Sequence, residues 1–254
     1  SRVTKKDLLA YLDDRSEPVV SSKLRMSDNI EEMEYMRKKI ADHMRSSLDT
    51  AAHVHVMTEV DMTTIVDYVM AKEESFSNRE GFSLTYTPFI VTAVVKAIQQ
   101  IPLMNCSLDG GEIVHKKNIN IGMAVSMEDG LMVPVIEKCE EANFLGLCRR
   151  VRDKTVRTRD KKLSPDELQG STFSISNFGV FNVTMGTPII NQPNVGILGV
   201  GAIKKRPVVI ETEVGDTIGI RSMMTLTLGF DHRLIDGAGG SKFIDAVRKE
   251  LETM

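Results

Sequence analysis

The sequence has 254 residues, 42% of them hydrophobic, and a formal net charge of −3 at pH 7. This length suits one large domain with a sizeable core and a small appendage. The charge gives no indication of nucleic acid as a partner. No apolar run reaches the roughly 18 to 20 residues that a membrane span needs, and no signal peptide is visible.

The cysteine content also bounds the class of protein. The three cysteines, Cys106, Cys139 and Cys148, are odd in number, and their spacing matches no metal site. We interpret them as reduced thiols of a cytosolic protein.

Hydrophobic periodicity predicts the elements of the first part of the chain. Residues 15–27 contain serine, glutamate and proline without periodicity and indicate a linker. Apolar residues then recur at helical spacing from Ile30 to Leu48 and predict an amphipathic helix. Residues 53–61 alternate as a strand does. A second helix is predicted from Thr63 to about Arg79.

A buried helix is predicted next, over residues 87–101. The Thr87 hydroxyl is its expected N-cap, and Pro88 fits the first helical position because proline has no N–H to donate. Short strands are expected near Asn105, Glu112, Ile119 and Met132. The run Asp109–Gly110–Gly111 predicts a hairpin turn between the first two of them.

The rest of the chain combines one basic helix with several strands. Residues 142–162 predict a helix, and residues 172–230 predict strands. The basic residues on the solvent face of that helix are Arg149, Arg150, Arg152, Lys154, Arg157 and Arg159. Together the elements predict an α/β fold of the layered α+β kind, with helices packed on a largely antiparallel or mixed sheet.

The most informative motif is a histidine followed four residues later by Asp-Gly, at His232, Asp236 and Gly237. The alternating run 223–230 precedes it as a buried strand, and residues 238–240 read as a turn before a helix over 241–251. His232 is therefore expected at a strand end beside a loop. There a side chain is held rigidly and can still be reached by a substrate.

Several ordered blocks, spread over most of the chain, resemble the catalytic domain of the dihydrolipoamide acyltransferase component of a 2-oxoacid dehydrogenase complex. The matching blocks are residues 36–41, 53–61, 118–125, 129–136, 170–179, 187–191 and 230–237. The resemblance implies the chloramphenicol acetyltransferase-like mixed sheet with flanking helices. It also implies thioester acyl transfer between reduced lipoyl groups and coenzyme A.

The N-terminal residues resemble a different part of the same proteins. Residues 1–14 read like the end of a peripheral-subunit-binding domain, and Thr4 with Asp7 fits an N-cap and its third helical residue. We do not expect this tail to fold alone, and the chain is expected to start at a proteolytic or cloning boundary. The predicted domains are thus the tail 1–14, the linker 15–27 and an acyltransferase catalytic domain over 28–254.

The chemistry of thioester exchange assigns roles to three residues of the matching blocks. A thiol with a pKa of about 8.5 is mostly protonated at neutral pH, and a histidine near 6.5 can take and return its proton, so His232 is the candidate base. The resemblance places a hydroxyl at Ser176, the candidate donor to the oxyanion. The resemblance also implies that Asp236 holds the active-site loop by pairing with an arginine.

Other charged residues are assigned on weaker grounds. Arg37, near the start of the domain, is the expected partner of Asp236, and Arg233 is expected to support the site structurally. The tract Lys204, Lys205 and Arg206 has the charge to bind the phosphates of coenzyme A, and a solvated loop is the alternative.

The remaining histidines are rivals for the base. They are His43, His53, His55 and His115. His53 and His55 share one strand face and are expected near the active-site channel. No third ligand with suitable spacing lies near them, so no metal site is predicted.

The resemblance also implies cofactors, partners and location. The covalent lipoyl group would come from a lipoyl domain absent from this chain, and coenzyme A would be a substrate. The expected partners are further copies in a homotrimer, a 2-oxoacid decarboxylase component and dihydrolipoamide dehydrogenase. Trimers of this family form cores of 24 or 60 chains, and the end of this sequence at Met254 leaves that assembly open. The expected location is the bacterial cytoplasm, or the mitochondrial matrix in a eukaryote.

Three alternatives remain open at this point. Acetyl and branched-chain acyl groups are favoured over succinyl, because no basic pair stands out near Ser176. An oxygen acyltransferase of the chloramphenicol acetyltransferase type shares the motif, but it would not explain residues 1–14. A non-catalytic scaffold subunit of the complex core would be expected to lack His232 or Ser176, and both are present.

Overall fold

The computed structural model describes residues 5–6, 29–127, 130–213 and 215–254. The chain divides into two compact units, residues 1–39 and 40–254. In the first unit Lys5 and Lys6 are helical and exposed. The rest of the predicted tail 1–14 and the linker 15–27 lie outside the described residues, so the predicted domain boundaries stay predictions.

Apart from the helical Lys5 and Lys6, the described residues contain five α-helices and ten strands. The helices are α1 (Tyr35–Thr50), α2 (Thr63–Glu80), α3 (Thr87–Gln100), α4 (Phe144–Arg159) and α5 (Gly237–Glu252). The strands are β1 (His53–Asp61), β2 (Cys106–Asp109), β3 (Glu112–His115), β4 (Ile121–Met127), β5 (Gly130–Met132), β6 (Val135–Ile136), β7 (Phe173–Asn177), β8 (Gly196–Val200), β9 (Lys204–Ile210) and β10 (Thr217–Asp231).

The main sheet is mixed, as predicted. Its strands run in the order β1-β10-β8-β7-β4-β5, with β6 beside β4 and β9 beside β10. The β1–β10 and β10–β8 pairs are antiparallel, whereas β7 is parallel to both β8 and β4. The separate β2–β3 hairpin confirms its predicted turn. Gly110 and Gly111 both have positive φ, which that turn requires.

The two faces of the main sheet differ in chemistry. Because side chains alternate along a strand, Leu226, Leu228 and Phe230 of β10 share the face that packs into the main hydrophobic core with the helices. The opposite face is mostly polar and includes His53 and His55. We call it the polar face, and a small separate cluster of Ala51, Ile190 and Ile197 is buried on it.

The predicted start of α3 was wrong by one residue. Tyr86 is the N-cap, without a side-chain cap hydrogen bond, and Thr87 is already helical. The reason is that the Tyr86 carbonyl accepts the first helical N–H groups, from Phe89 and Ile90. Pro88 stays compatible with the first turn because no N–H is needed there.

The predicted turn over residues 238–240 was also wrong, because α5 begins at Gly237. The small residues form the first helical turn and allow close packing. A Cβ at Gly240 would overlap the ring of Phe230. Composition indicated a turn, and contact with β10 instead determines the helix.

The basic helix is shorter than predicted, and much of its charge is neutralised. Asn143 caps α4 by accepting a hydrogen bond from the Gly146 N–H at 2.8 Å. Arg149 is paired with Glu80, and Lys154 and Arg157 are both paired with Glu167. The hydrogen bonds from Arg157 and Lys154 lower the pKa of Glu167. Three of the six basic residues of this face are therefore held in ion pairs.

The three cysteines are free and buried. Burial raises the pKa of Cys139 and of Cys148 to about 11. Over the described ranges, none of the helices has the length and apolarity to cross a membrane.

Candidate active site

His232 lies immediately after the last residue of β10, where its backbone is fixed and its side chain is exposed. The His232 N–H donates to the carbonyl of Ala52 at 2.8 Å, which ties the residue to the start of β1. Its ring lies 6.0 Å from the ring of Phe230. The predicted location at a strand end is thus confirmed, and the residue is exposed.

The buried carboxylate of Asp231 holds this strand end. Arg233 binds it with two side-chain nitrogens, Nε at 3.0 Å and Nη2 at 2.6 Å, and the Ala52 N–H donates to it at 3.2 Å. Burial by itself would raise the pKa of Asp231. The bonds from Arg233 and Ala52 outweigh burial and hold the pKa below its usual value. Arg233 is thus structural, as expected, and its partner Asp231 was not predicted from the sequence.

Replacing Arg233 by methionine should destabilise the protein by about 2 to 3 kcal/mol at neutral pH, less than for a fully buried pair because Arg233 is partly exposed. The variant leaves a buried carboxylate without its charged partner. Because the folded-state pKa of Asp231 is lowered, this stabilisation is present at neutral pH and is lost as the pH falls below about 4. Urea unfolding of the wild type and the variant, at neutral pH and at a pH below about 4, measures this contribution to the free energy of unfolding. An equal difference between the two proteins at both pH values would contradict the assignment.

Asp236 is the N-cap of α5. Its carboxylate accepts a hydrogen bond from the Gly239 N–H at 2.6 Å, and the residue is exposed. A cap of this kind fixes where the helix starts and hence the loop that carries His232. Arg37 lies on α1 and is exposed, and its pairing with Asp236 stays a prediction.

The capping role predicts different effects for two substitutions of Asp236. Alanine removes the acceptor and should lower the free energy of unfolding by about 0.5 to 2 kcal/mol. Asparagine retains an acceptor and should lose only the favourable interaction with the helix dipole, about 0.3 to 1 kcal/mol. Denaturant unfolding of both variants measures the difference. An asparagine variant as unstable as the alanine variant would contradict the capping role.

Ser176 lies on β7, half-buried. Register places it beside Gly199 of β8, which lies beside Thr227 of β10. His232 is five positions after Thr227, about 17 Å along the strand direction, and the two strand spacings add about 10 Å across the sheet. Ser176 and His232 of one chain are therefore about 20 Å apart, too far to contact the same acyl carbonyl.

The predicted phosphate-binding tract starts β9. Lys204 Nζ donates to the Thr184 hydroxyl at 3.1 Å, and Arg206 is paired with Glu59. Lys205 is exposed. Two of the three cations thus already contact other side chains of the chain.

The other histidines have structural contacts. His115 is 3.2 Å from the sulfur of Cys106, and His43 is 3.2 Å from Asn191 Oδ1. His53 and His55 both bind the segment 187–191. Within the parts of the chain that the structure describes, no group of three or more potential ligands could hold a metal ion.

Strand order and helix placement define the class of protein. The chain aligns with a chloramphenicol acetyltransferase structure at a TM-score of 0.50 and 16% identity, over 83% of this chain and 94% of that one, which shows the fold alone. A family model, unlike this shared fold, shows which family the chain belongs to. The chain belongs to the family described as 2-oxoacid dehydrogenases acyltransferase (catalytic domain), whose model matches residues 26–254.

Three relatives represent different acyl specificities. A lipoamide acyltransferase of the branched-chain alpha-keto acid dehydrogenase complex of Bacillus subtilis is 39% identical over 86% of this chain and 51% of its own length. A succinyltransferase component from Rickettsia conorii is 35% identical over 99% and 63%. An acetyltransferase component from Mycobacterium bovis is 40% identical over 85% and 40%. The chain thus spans 40 to 63% of these relatives.

Solved structures agree. A probable dihydrolipoamide acetyltransferase from Listeria monocytogenes has a TM-score of 0.85 at 37% identity, covering 89% of this chain and 95% of that one. An Azotobacter vinelandii dihydrolipoamide acetyltransferase, studied for the catalytic roles of a serine, a histidine and an asparagine, has a TM-score of 0.84 at 30% identity, covering 93% and 97%. A cubic core of the pyruvate dehydrogenase multienzyme complex gives the same values.

Proposed function

We propose that this chain transfers an acyl group between the dihydrolipoyl group of a 2-oxoacid dehydrogenase complex and coenzyme A. The observation that carries the proposal is the exposed His232 on a fixed strand end, in a chain of this acyltransferase family. The Azotobacter protein supports the assignment, because its studied histidine and asparagine have the spacing of His232 and Asp236 here.

In the proposed reaction His232 removes the proton from the coenzyme A thiol. The sulfur attacks the carbonyl carbon of the acyl-lipoyl thioester, and the Ser176 hydroxyl donates a hydrogen bond to the resulting oxyanion. The carbon–sulfur bond to the lipoyl group then breaks. The lipoyl sulfur takes the proton from His232, which restores the neutral base.

The separation of about 20 Å between His232 and Ser176 supports a shared site. We propose a homotrimer in which His232 of one copy and Ser176 of its neighbour face one acyl group. A monomer would then be inactive. The cubic core among the similar structures is consistent with further assembly.

The remaining partners follow from the same reaction. Lys205, with Lys204 and Arg206 beside it, is the proposed contact for the phosphates of coenzyme A. The lipoyl group would arrive on a lipoyl domain, acylated by a 2-oxoacid decarboxylase component and reoxidised by dihydrolipoamide dehydrogenase. We propose the bacterial cytoplasm as the location, since the similar proteins reported above with an organism are bacterial.

For the acyl group we propose acetyl or a branched chain rather than succinyl. Ser176 lies between Ala124 and Gly199 in the sheet, and neither neighbour has a charge that would bind a second carboxylate. Relatives of all three specificities match the chain and do not distinguish the acyl groups. The proposed specificity therefore rests on the residues beside Ser176.

The test is acyl transfer between free dihydrolipoamide and acetyl-, succinyl-, isobutyryl- and isovaleryl-coenzyme A. Transfer with a preference for acetyl or branched donors is expected. A preference for succinyl would overturn the proposed specificity. No transfer from any donor, with a sample shown to be trimeric, would favour the non-catalytic scaffold subunit.

A further inference from the structure

Side chains of α1 and β1 hold a segment of the chain on the polar face of the sheet. This segment, residues 187–191, is called the clamp loop. Ile190 is fully buried, and side chains satisfy both of its backbone groups. The Ser47 hydroxyl donates to its carbonyl at 2.6 Å, and its N–H donates to His53 Nε2 at 3.0 Å.

The contacts of His53 fix its protonation state. Its Nδ1 is 3.1 Å from the carbonyl oxygen of Ala51, which can only accept, so Nδ1 must carry the proton. Its Nε2 faces the N–H of Ile190, which can only donate, so Nε2 must be unprotonated and accept that hydrogen bond. Both bonds exist together only in the neutral ring with its proton on Nδ1.

His55 provides the contrast, two residues along the same strand. Its Nε2 is 3.1 Å from the carbonyl of Pro188 and must donate there. A second proton, on Nδ1, would leave that bond in place. The two rings lie 6.4 Å apart. Both bind the clamp loop, but only His53 requires an unprotonated nitrogen to do so.

The clamp loop connects both parts of the proposed site. Ala52, next to His53, accepts the His232 N–H and donates to Asp231. At the other end, Pro188 packs over Gly199, the sheet neighbour of Ser176. A shift of the clamp loop would therefore disturb both the strand end that carries His232 and the part of β7 and β8 around Ser176.

We infer that His53 is a positioning residue that holds the clamp loop, and through it the site, only while its ring is neutral. A proton on Nε2 would set two N–H groups against each other, and water cannot replace the lost acceptor because Ile190 is buried. The relevance to catalysis rests on the proposed function, whereas the clamp itself does not.

The charged groups around His53 come from each neighbouring element. On β1 it is stacked against His55, and His43 of α1 binds Asn191 of the clamp loop. On β10 its register partner is Asp231, whose carboxylate is bound by Arg233. Since Asp231 is already paired, its charge is largely compensated.

The test compares the wild-type protein with His53→Gln, His53→Leu and the matched control His55→Gln. Glutamine offers an oxygen to the Ile190 N–H but does not titrate. Between pH 7.5 and 5.5 the wild type should lose about 2 to 4 °C more in Tm than His53→Gln. His53→Leu should be less stable at both pH values, and His55→Gln should keep the pH response of the wild type.

A second measurement determines directly which ring nitrogen of His53 carries the proton. The ¹⁵N signals of the His53 ring at neutral pH should show the proton on Nδ1. A proton on Nε2, or a His53→Gln variant that loses as much Tm on acidification as the wild type, would overturn the inference. Neither measurement requires acyl transfer. The role of His53 can therefore be tested even if the proposed reaction does not occur.

Discussion

Replacing His232 by alanine should lower kcat for acyl transfer about 10² to 10⁴-fold, the usual contribution of a general base. The thiol of coenzyme A would then have to lose its proton to water. Stability should change little, because the side chain is exposed and the structure fixes the residue through its backbone N–H to Ala52. Steady-state kinetics and the Tm of the same sample measure both effects.

His115→Ala is the matched control, since this histidine is also exposed but lies on the separate β2–β3 hairpin. Its kcat should stay near the wild-type value. Ser176→Ala should lose about 10² to 10³-fold, as expected for one oxyanion donor. Near-normal turnover of His232→Ala in a folded trimer would exclude His232 as the base.

The second large effect is recovery of activity when two strongly impaired variants are mixed. His232→Ala retains Ser176, and Ser176→Ala retains His232. If each site takes one residue from each of two neighbouring copies, about a quarter of the sites in randomly reassembled trimers should contain both functional groups. The mixture should therefore be far more active than either variant alone.

This experiment tests the geometry independently of the chemistry. The control is the double variant His232→Ala/Ser176→Ala mixed with either single variant, which can form no complete site. Reassembly is confirmed by mass or by exchange of labelled subunits. Mixed trimers that form but stay inactive would show that the two residues do not share a site between copies.

Local pattern was sufficient for most of the elements. The alternation of residues 53–61 corresponds to β1 (His53–Asp61), and the glycines after Asp109 form the predicted hairpin turn. These features depend on neighbours in sequence, because the side-chain period and the sign of φ are properties of a short segment.

Predictions failed where a distant contact overrides local preference. Residues 238–240 have the composition of a turn, yet they are helical because Gly240 packs directly on Phe230. The partner of Arg233 was missed although it is only two residues away. Asp231 reads as a strand residue, and only the fold shows its carboxylate buried against Ala52.

The sequence by itself determined the family resemblance, the mixed layered fold and the position of His232 at a strand end, because motifs and periodicity are written in consecutive residues. Only the tertiary structure decided how far His232 lies from Ser176 and that the two ring nitrogens of His53 contact Ala51 and Ile190. The register of β8 with β7 and β10 joins residues 23 to 34 positions apart, and the hydrogen bond between Ile190 and His53 joins residues 137 positions apart. Such pairings depend on the sheet as a whole and have no signature in any local run of residues.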